Sequence, residues 1–458
     1  MTAKPAAPAT EVEAFLAAHP DVTGIELLLP DGSGVIRGKR LAREGLLKFY
    51  REGVALPSTI FALDITGADI PEAGLQWDEG DADRVCWPVP GTLKPVPWHQ
   101  RPLGQVLLTM HEEDGTPYFA DPRQVLARVL ERYARDGLVP VVAVELEFYL
   151  IDRDLTPDGR PQVPVSPVTG RREATLQTLS MSALSEFDEF FAGVERAAAV
   201  QGVPAEAAVS EAAIGQYEIN LKHESDALIA ADHGVLLRRL IKGVATEVGL
   251  DATFMAKPFA DQTGNGLHIH LSLLDRDGRN LFDDGTAAGS DTLRHAIGGL
   301  ARTMPESMAV LAPNANSYRR FQEGSYAPLA PVWGYNNRTT ALRIPSGSGL
   351  ARRVEHRVAG ADANIYLVAA AVLAGAHHGI ERRLDPGPPI VGNAYEKAEP
   401  TLPNTWQEAL QAFDEAEILP GYLGEKFCRL YSACRRAERR SFHSVVSNLE
   451  YQWYLRTV

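Results

Sequence analysis

The sequence predicts a two-domain protein of mixed helices and strands, with a small β-rich N-terminal domain before a larger α/β domain. The chain has 458 residues, more than the roughly 250–300 at which a single hydrophobic core stops growing. Strand and turn signals dominate the first hundred residues, and helix-period and strand-period segments alternate after them. We therefore predict a disordered start at 1–10, a first domain at 11–110 and a second at 111–458.

The N-terminal domain is predicted to consist of a short helix, a β-hairpin, an irregular stretch and a final strand. The sequence Pro-Asp-Gly-Ser-Gly at 30–34 is a strong turn signal between two apolar runs. Residues rich in proline and acidic side chains follow at 70–101 and suggest no regular element. In chain order, the predicted elements are a helix at 11–18, strands at 24–29 and 35–40, and a strand at 105–110.

The larger domain is predicted to contain long helices and short strands. Gly137 and Gly249 follow two of the helical patterns, and glycine is the usual residue just past a helix C-terminus. We predict helices at 122–135, 226–248, 292–308 and 365–376, and strands at 141–151, 217–221, 267–274 and 341–345.

Composition excludes several classes of function. The net charge of −14 argues against a nucleic-acid partner, which would require a basic surface. The first residues lack the apolar run of a signal peptide. The longest apolar stretch, 365–376, is shorter than the roughly 20 residues that span a bilayer. Three scattered cysteines suggest a reducing compartment. We expect a cytoplasmic protein without a membrane or nucleic-acid partner.

Two glutamates on the predicted strand at 141–151 are the first candidates for chemistry. Glu145 and Glu147 are two residues apart and therefore point to the same face. A bare Glu-x-Glu pair more often belongs to an amphipathic strand with one solvated face, but the apolar run at 141–144 describes an interior strand. Buried carboxylates need compensating charge, which metal cations supply.

Further acidic and histidine residues could complete a metal site. His268 and His270 share one face of the strand at 267–274. A lone histidine there would more often be a hydrogen-bonded core residue. Glu211 and Glu218 flank Gly215, and taken alone they could be solvated loop charges.

Arginines form the remaining clusters. Arg353, Glu355 and Arg357 would share one face of a strand, either as an exposed charge ladder or as a metal-ligating carboxylate between guanidiniums that bind anions. Arg320, Arg338 and Arg343 lie among aromatic residues and suit anion recognition, although a solvated basic loop would look similar. The sequence contains no Walker loop for a nucleotide.

These clusters, in this order, resemble the glutamine synthetase family, and most of all its γ-glutamylpolyamine (γ-glutamylputrescine) synthetase branch. The resemblance covers nearly the whole chain, and it implies an α+β fold: an N-terminal β-grasp domain and a catalytic domain on a curved, mainly antiparallel sheet flanked by helices. The stretches that carry it are VVAVELEFYL (141–150), FMAKP (254–258), GLHIHLSL (266–273), NSYRRF (316–321), WGYNNRTTALRIP (333–345) and RVAGADAN (357–364).

The resemblance implies a role for each matching residue. One metal ion would be held by Glu147, Glu211 and Glu218, and a second by Glu145, His268 and Glu355. Glutamate would be bound by Arg320 and Arg357 beside the Gly264 backbone. ATP phosphates would be bound by His270, Arg338, Arg343 and Arg353. The resemblance also implies ATP as a substrate, two to three Mg²⁺ or Mn²⁺ ions, and a dodecamer of two hexameric rings with active sites between neighbouring subunits.

One position departs from the family pattern. Glutamine synthetases carry a flap glutamate, which helps to bind and deprotonate ammonium, six residues after the arginine that matches Arg320. This chain has Tyr326 there. A larger amine therefore becomes plausible as the acceptor, although Glu323 could replace the missing carboxylate. Asp64, which aligns loosely, is a further candidate for the amine pocket.

We therefore expect an ATP-dependent ligase that joins glutamate to a diamine or polyamine such as putrescine through a γ-glutamyl phosphate, with Arg338, Arg320, Tyr326 and Asp64 in the catalytic site. The alternatives are a glutamine synthetase that uses ammonia, a ligase for ethanolamine or another monoamine, and an inactive relative that keeps only the fold. Tyr395 lies near a position that is adenylylated in some relatives, and we predict it to be a surface residue.

Overall fold

The computed structural model describes residues 9–77 and 80–458. Residues 1–8 of the predicted disordered start lie outside the described residues. Residues 9 and 10 belong instead to helix α1 (Ala9–Ala18), which confirms the predicted helix at 11–18 and extends it by two residues. Val12 and Phe15 of α1 are buried in the N-terminal core.

Six strands among the described residues form the first sheet, in the order β2-β1-β6-β4-β3 with β5 on β6. Strands β1 and β6 are parallel, and the other pairs are antiparallel. Helix α2 (Leu46–Glu52) covers this sheet together with α1. The strands are β1 (Gly24–Pro30), β2 (Ile36–Ala42), β3 (Val54–Pro57), β4 (Asp83–Pro88), β5 (Lys94–Pro95) and β6 (Leu103–His111).

The structure confirms the predicted hairpin and corrects the irregular stretch. Asp31 Oδ1 accepts backbone N–H groups from Ser33 and Val35, both at 2.9 Å, so its side chain holds the turn between β1 and β2. The prediction that 70–101 has no regular element was wrong, because strand β4 lies within this stretch and pairs with β6, which follows it. The proline and acidic residues around β4 weaken the strand signal in the local sequence, and pairing with β6 stabilises the strand.

Eight strands among the described residues form the second sheet, in the order β12-β13-β14-β11-β7-β9-β8 with β10 on β7. Only β12 and β13 pair in parallel, so the sheet is mainly antiparallel, as expected. The strands are β7 (Val139–Ile151), β8 (Ala205–Ser210), β9 (Gln216–Leu221), β10 (Asp251–Thr253), β11 (Leu267–Leu274), β12 (Trp333–Tyr335), β13 (Leu342–Ile344) and β14 (Val354–His356).

Helices flank the second sheet, and all four predicted long helices are present, three predicted from helical patterns and one from an apolar run. Helix α8 is six residues longer than predicted. It packs on α7 through close backbone contact, since a Cβ atom on Gly299 would lie 2.1 Å from the carbonyl oxygen of Gly375. The helices are α3 (Pro122–Asp136), α4 (Met181–Glu186), α5 (Asp188–Gln201), α6 (Ala227–Glu247), α7 (Asp291–Leu311), α8 (Ile365–Arg382), α9 (Ala394–Lys397), α10 (Trp406–Asp414), α11 (Leu419–Leu423), α12 (Glu425–Ser444) and α13 (Asn448–Tyr454).

Hydrogen bonds join the N-terminal sheet to the rest of the molecule. Arg239 on α6 donates to Gln105 Oε1 at 2.8 Å. Arg435 on α12 donates to Ser33 Oγ at 2.7 Å. The domain division at 110/111 remains a prediction. In the part of the chain that the structure describes, no helix is both long and apolar enough to cross a membrane.

Candidate functional site

Strand β7 lies between β9 and β11, and this pairing brings the acidic and histidine residues together. Glu147 pairs with Glu218 on β9, while Glu145 pairs with His268 on β11. His268 Nδ1 lies 2.6 Å from Glu145 Oε1. Residues that pair across neighbouring strands point to the same face, so side chains from three strands that are distant in sequence meet at one place.

Two overlapping groups of side chains have the arrangement of a metal site. Within each group the candidate ligand atoms all lie within 4.8 Å of one another. The groups are Glu145, His268 and Glu355, and Glu147, Glu218 and His268. Glu211 belongs to neither group, but it lines a cavity together with Glu145, Glu147, Glu218 and His268. Carboxylate oxygens with an imidazole nitrogen form a donor set that suits divalent cations.

The electrostatics of the cluster also fit bound cations. Burial and the neighbouring charge of Glu145 raise the pKa of Glu218 to about 11. Burial and the charge of Glu147 raise the pKa of Glu211 to about 7. The protein groups alone therefore do not neutralise these two carboxylates, whereas divalent cations would.

Glu355 is the exception, because arginines neutralise it. The side chain is 1% exposed, which excludes the alternative of an exposed charge ladder. It forms ion pairs with Arg357 and, at 2.7 Å, with Arg343. Burial opposes its ionisation, but the charges of Arg357 and His268 hold its pKa at about 2.

Two arginines keep donors available for a ligand. The Nε atoms of Arg320 and Arg357 are buried and have no hydrogen-bond partner within residues 9–77 and 80–458. Arg320 is held in place through its Nη1 atom, which donates to the carbonyl oxygen of Val358 at 3.0 Å. Free guanidinium donors of this kind suit a carboxylate ligand.

Most of the predicted site residues line one cavity of about 410 Å³. Those residues are Glu145, Glu147, Glu211, Glu218, Gly264, His268, Arg320, Tyr326, Arg338 and Arg357. A neighbouring cavity of about 620 Å³ is lined by His270 and Arg353 and shares Glu145. Arg353 Nε lies 3.1 Å from His270 Nδ1. Arg343 lines neither cavity, and it contacts the site through Glu355.

Two of the candidate amine-site residues lie away from these cavities. Asp64 accepts hydrogen bonds from the backbone N–H groups of Thr66 and Ala68, and so it stabilises its own turn in the N-terminal region. Glu323 is exposed. Neither residue lines either cavity, so the structure of one chain does not bring them to the site.

Sequence reasoning missed the polar residues that support the cluster. Gln216 donates to the carbonyl oxygen of Gly264 at 3.0 Å and to Asn265 Oδ1 at 3.1 Å. Asn220 donates to Glu145 Oε2 at 2.9 Å. The signal was present, because Gln216 and Asn220 alternate with Glu218 along β9 and so share its face.

Tyr395 differs from its prediction as a surface residue. Its side chain is partly buried, and its hydroxyl donates to the carbonyl oxygen of Ala327 at 2.9 Å. Ala327 follows Tyr326, so Tyr395 holds the loop that carries the flap position.

A family model described as "Glutamine synthetase, catalytic domain" matches residues 119–454. The chain belongs to the glutamine synthetase family. It is 43% identical to gamma-glutamylputrescine synthetase PuuA of Escherichia coli K12 over 446 residues, which cover 97% of this chain and 94% of that protein. It is 34% identical to gamma-glutamylethanolamide synthetase GlnA4 of Streptomyces coelicolor, over 96% of this chain and 94% of that protein.

The fold of this chain also matches solved structures. A structure described as a GmaS/ADP complex superposes with a TM-score of 0.84 at 30% identity. The match covers 97% of this chain and 99% of the other. The predicted fold class is therefore confirmed over the length of the chain.

Proposed function

We propose that this chain is an ATP-dependent carbon–nitrogen ligase that forms γ-glutamyl amides from glutamate and a diamine or polyamine such as putrescine. One observation carries the proposal. A single cavity has a carboxylate–histidine cluster together with Arg320 and Arg357, and it has Tyr326 in place of the flap glutamate. The cluster and arginines suit phosphoryl transfer to a carboxylate. With tyrosine at position 326, the cavity lacks the flap carboxylate that would favour ammonium.

In this proposal the arginines position glutamate and the acidic cluster holds the cations. The free Nε donors of Arg320 and Arg357 would bind the carboxylate groups of glutamate beside Gly264. The cations would be held by Glu147, Glu211 and Glu218, and by Glu145, His268 and Glu355. When bound, they supply positive charge to a transferring phosphoryl group.

The adjoining cavity is where ATP would bind. His270 and Arg353 line it, and Arg338 lies in the first cavity, so cationic donors are available on both sides of the path of the phosphoryl group. Arg343 acts through Glu355. A carboxylate and an amine do not condense in neutral water, so ATP first converts the γ-carboxylate into an acyl phosphate. An uncharged amine then attacks the acyl carbon, and phosphate leaves.

The comparisons support an alkylamine as acceptor. The names of the relatives at 43% and 34% identity specify putrescine and ethanolamine products. The higher identity to the putrescine enzyme favours a diamine. The ethanolamine relative keeps a monoamine as the second candidate acceptor.

We also propose a double-ring dodecamer in the cytoplasm. In such an assembly Asp64 would reach the cavity of a neighbouring subunit, which accounts for its distance from the cavities of its own chain. The three cysteines are all unpaired and buried, which suits a reducing compartment.

Acceptor-dependent phosphate release tests this function. Purified protein is incubated with ATP, glutamate and Mg²⁺ or Mn²⁺, and putrescine, spermidine, ethanolamine and ammonium are compared. We expect the fastest release with a diamine or polyamine and little with ammonium. Release with ammonium alone would contradict the proposal, and so would the absence of release with every acceptor when a metal is bound.

A further inference from the structure

Two bulky residues of the site have a backbone conformation that such residues rarely adopt. Leu179 has φ +60° and Tyr326 has φ +59°. The left-handed region is costly for residues with large side chains. Within residues 9–77 and 80–458 only three other non-glycine residues have positive φ, namely Asp81, Asn336 and Arg383. None of those three lines the cavity of about 410 Å³ that contains the carboxylate–histidine cluster.

Leu179 and Tyr326 line this cavity, and their side chains are exposed. Leu179 is 69% exposed and Tyr326 is 54% exposed. Single exposed apolar side chains are common on protein surfaces, and what distinguishes these two is that they combine exposure with positive φ at a cavity. Val209, Ala212 and Ala327 line the same cavity. These five side chains contribute apolar surface to a cavity whose lining also contains the charged cluster.

Hydrogen bonds hold each strained residue in place. The Leu179 N–H donates to the carbonyl oxygen of Ser210 at 2.9 Å, and the following Ser180 caps helix α4. On the other side, Ser325 Oγ donates to the carbonyl oxygen of Arg320 at 2.9 Å, and Tyr395 holds Ala327. Strained conformations persist where their surroundings fix them, and they concentrate at functional sites.

We infer that Leu179 and Tyr326 bind the methylene chain of the acceptor amine and thereby select alkylamines over ammonium. This inference rests on the proposed function and names the residues that set its acceptor. Ammonium has no methylene groups and gains nothing from an apolar patch. An alkylamine places its chain against the two side chains while its terminal amine reaches the acyl carbon.

Three substitutions at Leu179 test the inference, because together they separate the effect of the apolar side chain from that of the strained backbone. Leu179→Gly removes the side chain and relieves the strain. Leu179→Asn introduces a residue that tolerates positive φ and replaces the apolar surface with a polar one. Leu179→Met keeps the surface apolar. For the full chain, kcat and KM are measured with putrescine, methylamine and ammonium, and Tm is measured by calorimetry.

We expect the Gly and Asn variants to lose about tenfold in kcat/KM for putrescine, mainly through KM, since small apolar contacts typically contribute 10–200-fold to discrimination. The loss should be smaller for methylamine and absent for ammonium. The Met variant should retain use of putrescine. The Tm of Leu179→Gly should not fall, because an exposed side chain and a strained conformation are both removed.

Arg383→Gly is the matched control. Arg383 also has positive φ, at +52°, where helix α8 ends, and it lines neither cavity. This variant should relieve the same kind of strain without changing kinetics with any acceptor.

The outcomes separate this inference from the proposed function. An unchanged ratio of putrescine to methylamine kcat/KM in both the Gly and the Asn variants would overturn the inference while the ligase function stands. A wild-type protein that uses no alkylamine would overturn the proposed function itself. A uniform loss with every acceptor would show that Leu179 supports the loop rather than the amine chain, and would also overturn the inference.

Discussion

At the scale of single residues, the site combines carboxylates that the protein neutralises with carboxylates that it leaves uncompensated. Glu355 is paired with Arg343 and Arg357 and stays charged. Glu218 and Glu211 have raised pKa values because they are buried beside other carboxylates. The difference follows from the neighbouring side chains. Glu355 on β14 lies beside Arg343 and Arg357, whereas Glu218 on β9 lies beside Glu145 and Glu147 of β7. Cations bound beside Glu211 and Glu218 would remove the repulsion between these carboxylates and their neighbours.

The variant Glu147→Ala tests the proposed metal ligands. We expect turnover to fall by about 100-fold or more, since a catalytic metal supplies several kcal/mol of charge stabilisation. The fold should remain, because loss of the acceptor for the Gly266 N–H is offset by weaker repulsion among carboxylates. Phosphate release and circular dichroism measure the two effects. Wild-type turnover in this variant would contradict the assignment.

The variant Tyr326→Glu tests the flap position. A carboxylate there should bind ammonium and accept its proton, so kcat/KM for ammonium should rise by about tenfold or more. Glu323→Gln is the control, and it should change nothing because Glu323 lines neither cavity. No rise for ammonium in a folded variant that still uses putrescine would contradict the placement of Tyr326 at the amine.

Some site residues could be read from the sequence and others could not. Glu145, Glu147, His268 and Glu355 could be proposed as site residues because alternation on a strand shows which residues share a face. Leu179 was missed because its positive φ and its exposure depend on a loop that only tertiary contacts fix. Nothing in the local sequence distinguishes it from a core leucine.

At the scale of elements, the pairing of β7 with β9 links stability to pH and metal. The pKa of Glu211 is about 7 and that of Glu218 about 11 in the metal-free protein, whereas an unfolded glutamate has a pKa of about 4.3. Between these values the folded state binds more protons than the unfolded state. Stability therefore falls as pH rises above about 4.3, and for Glu211 most of the loss is complete above pH 7.

We predict that Mg²⁺ or Mn²⁺ raises Tm more at pH 8 than at pH 6, because bound cations remove the cost of ionising Glu211 and Glu218. Thermal unfolding with chelator and with metal, at both pH values, measures this. The Glu147→Ala variant should show a smaller metal effect at pH 8. An equal metal effect at the two pH values in the wild type would contradict the prediction.

Elements with strong local signals were predicted well, and elements that depend on partners were not. The hairpin of β1 and β2 follows from its turn residues, and the four long helices follow from helical patterns or, for α8, from an apolar run. Strand β4 was missed because proline and acidic residues surround it, and its stability comes from β6, which is distant in sequence. Strand β8 was missed for a similar reason, since its small residues acquire strand structure by pairing with β9.

At the scale of the whole molecule, the N-terminal sheet is docked on the larger part of its own chain, while Asp64 lies away from the cavities of that chain. If rings place it in a neighbouring active site, two inactive variants should complement each other. We predict that Asp64→Asn and Glu147→Ala subunits, dissociated and reassembled together, recover part of the wild-type turnover.

Separate reassembly of each variant is the control for this experiment. Each alone should remain inactive, since every active site then lacks one group. Mixed assemblies that stay as inactive as the separate variants, although hybrids are present by mass, would contradict the shared site.

The central claim is that ATP activates the γ-carboxylate of glutamate for attack by an alkylamine. The most direct test uses glutamate labelled with a heavy oxygen isotope in that carboxylate, with ATP, a divalent metal and putrescine. The account predicts that a labelled oxygen appears in the released phosphate and that γ-glutamylputrescine forms in equal amount. Release of unlabelled phosphate, or an amide formed without labelled phosphate, would contradict it.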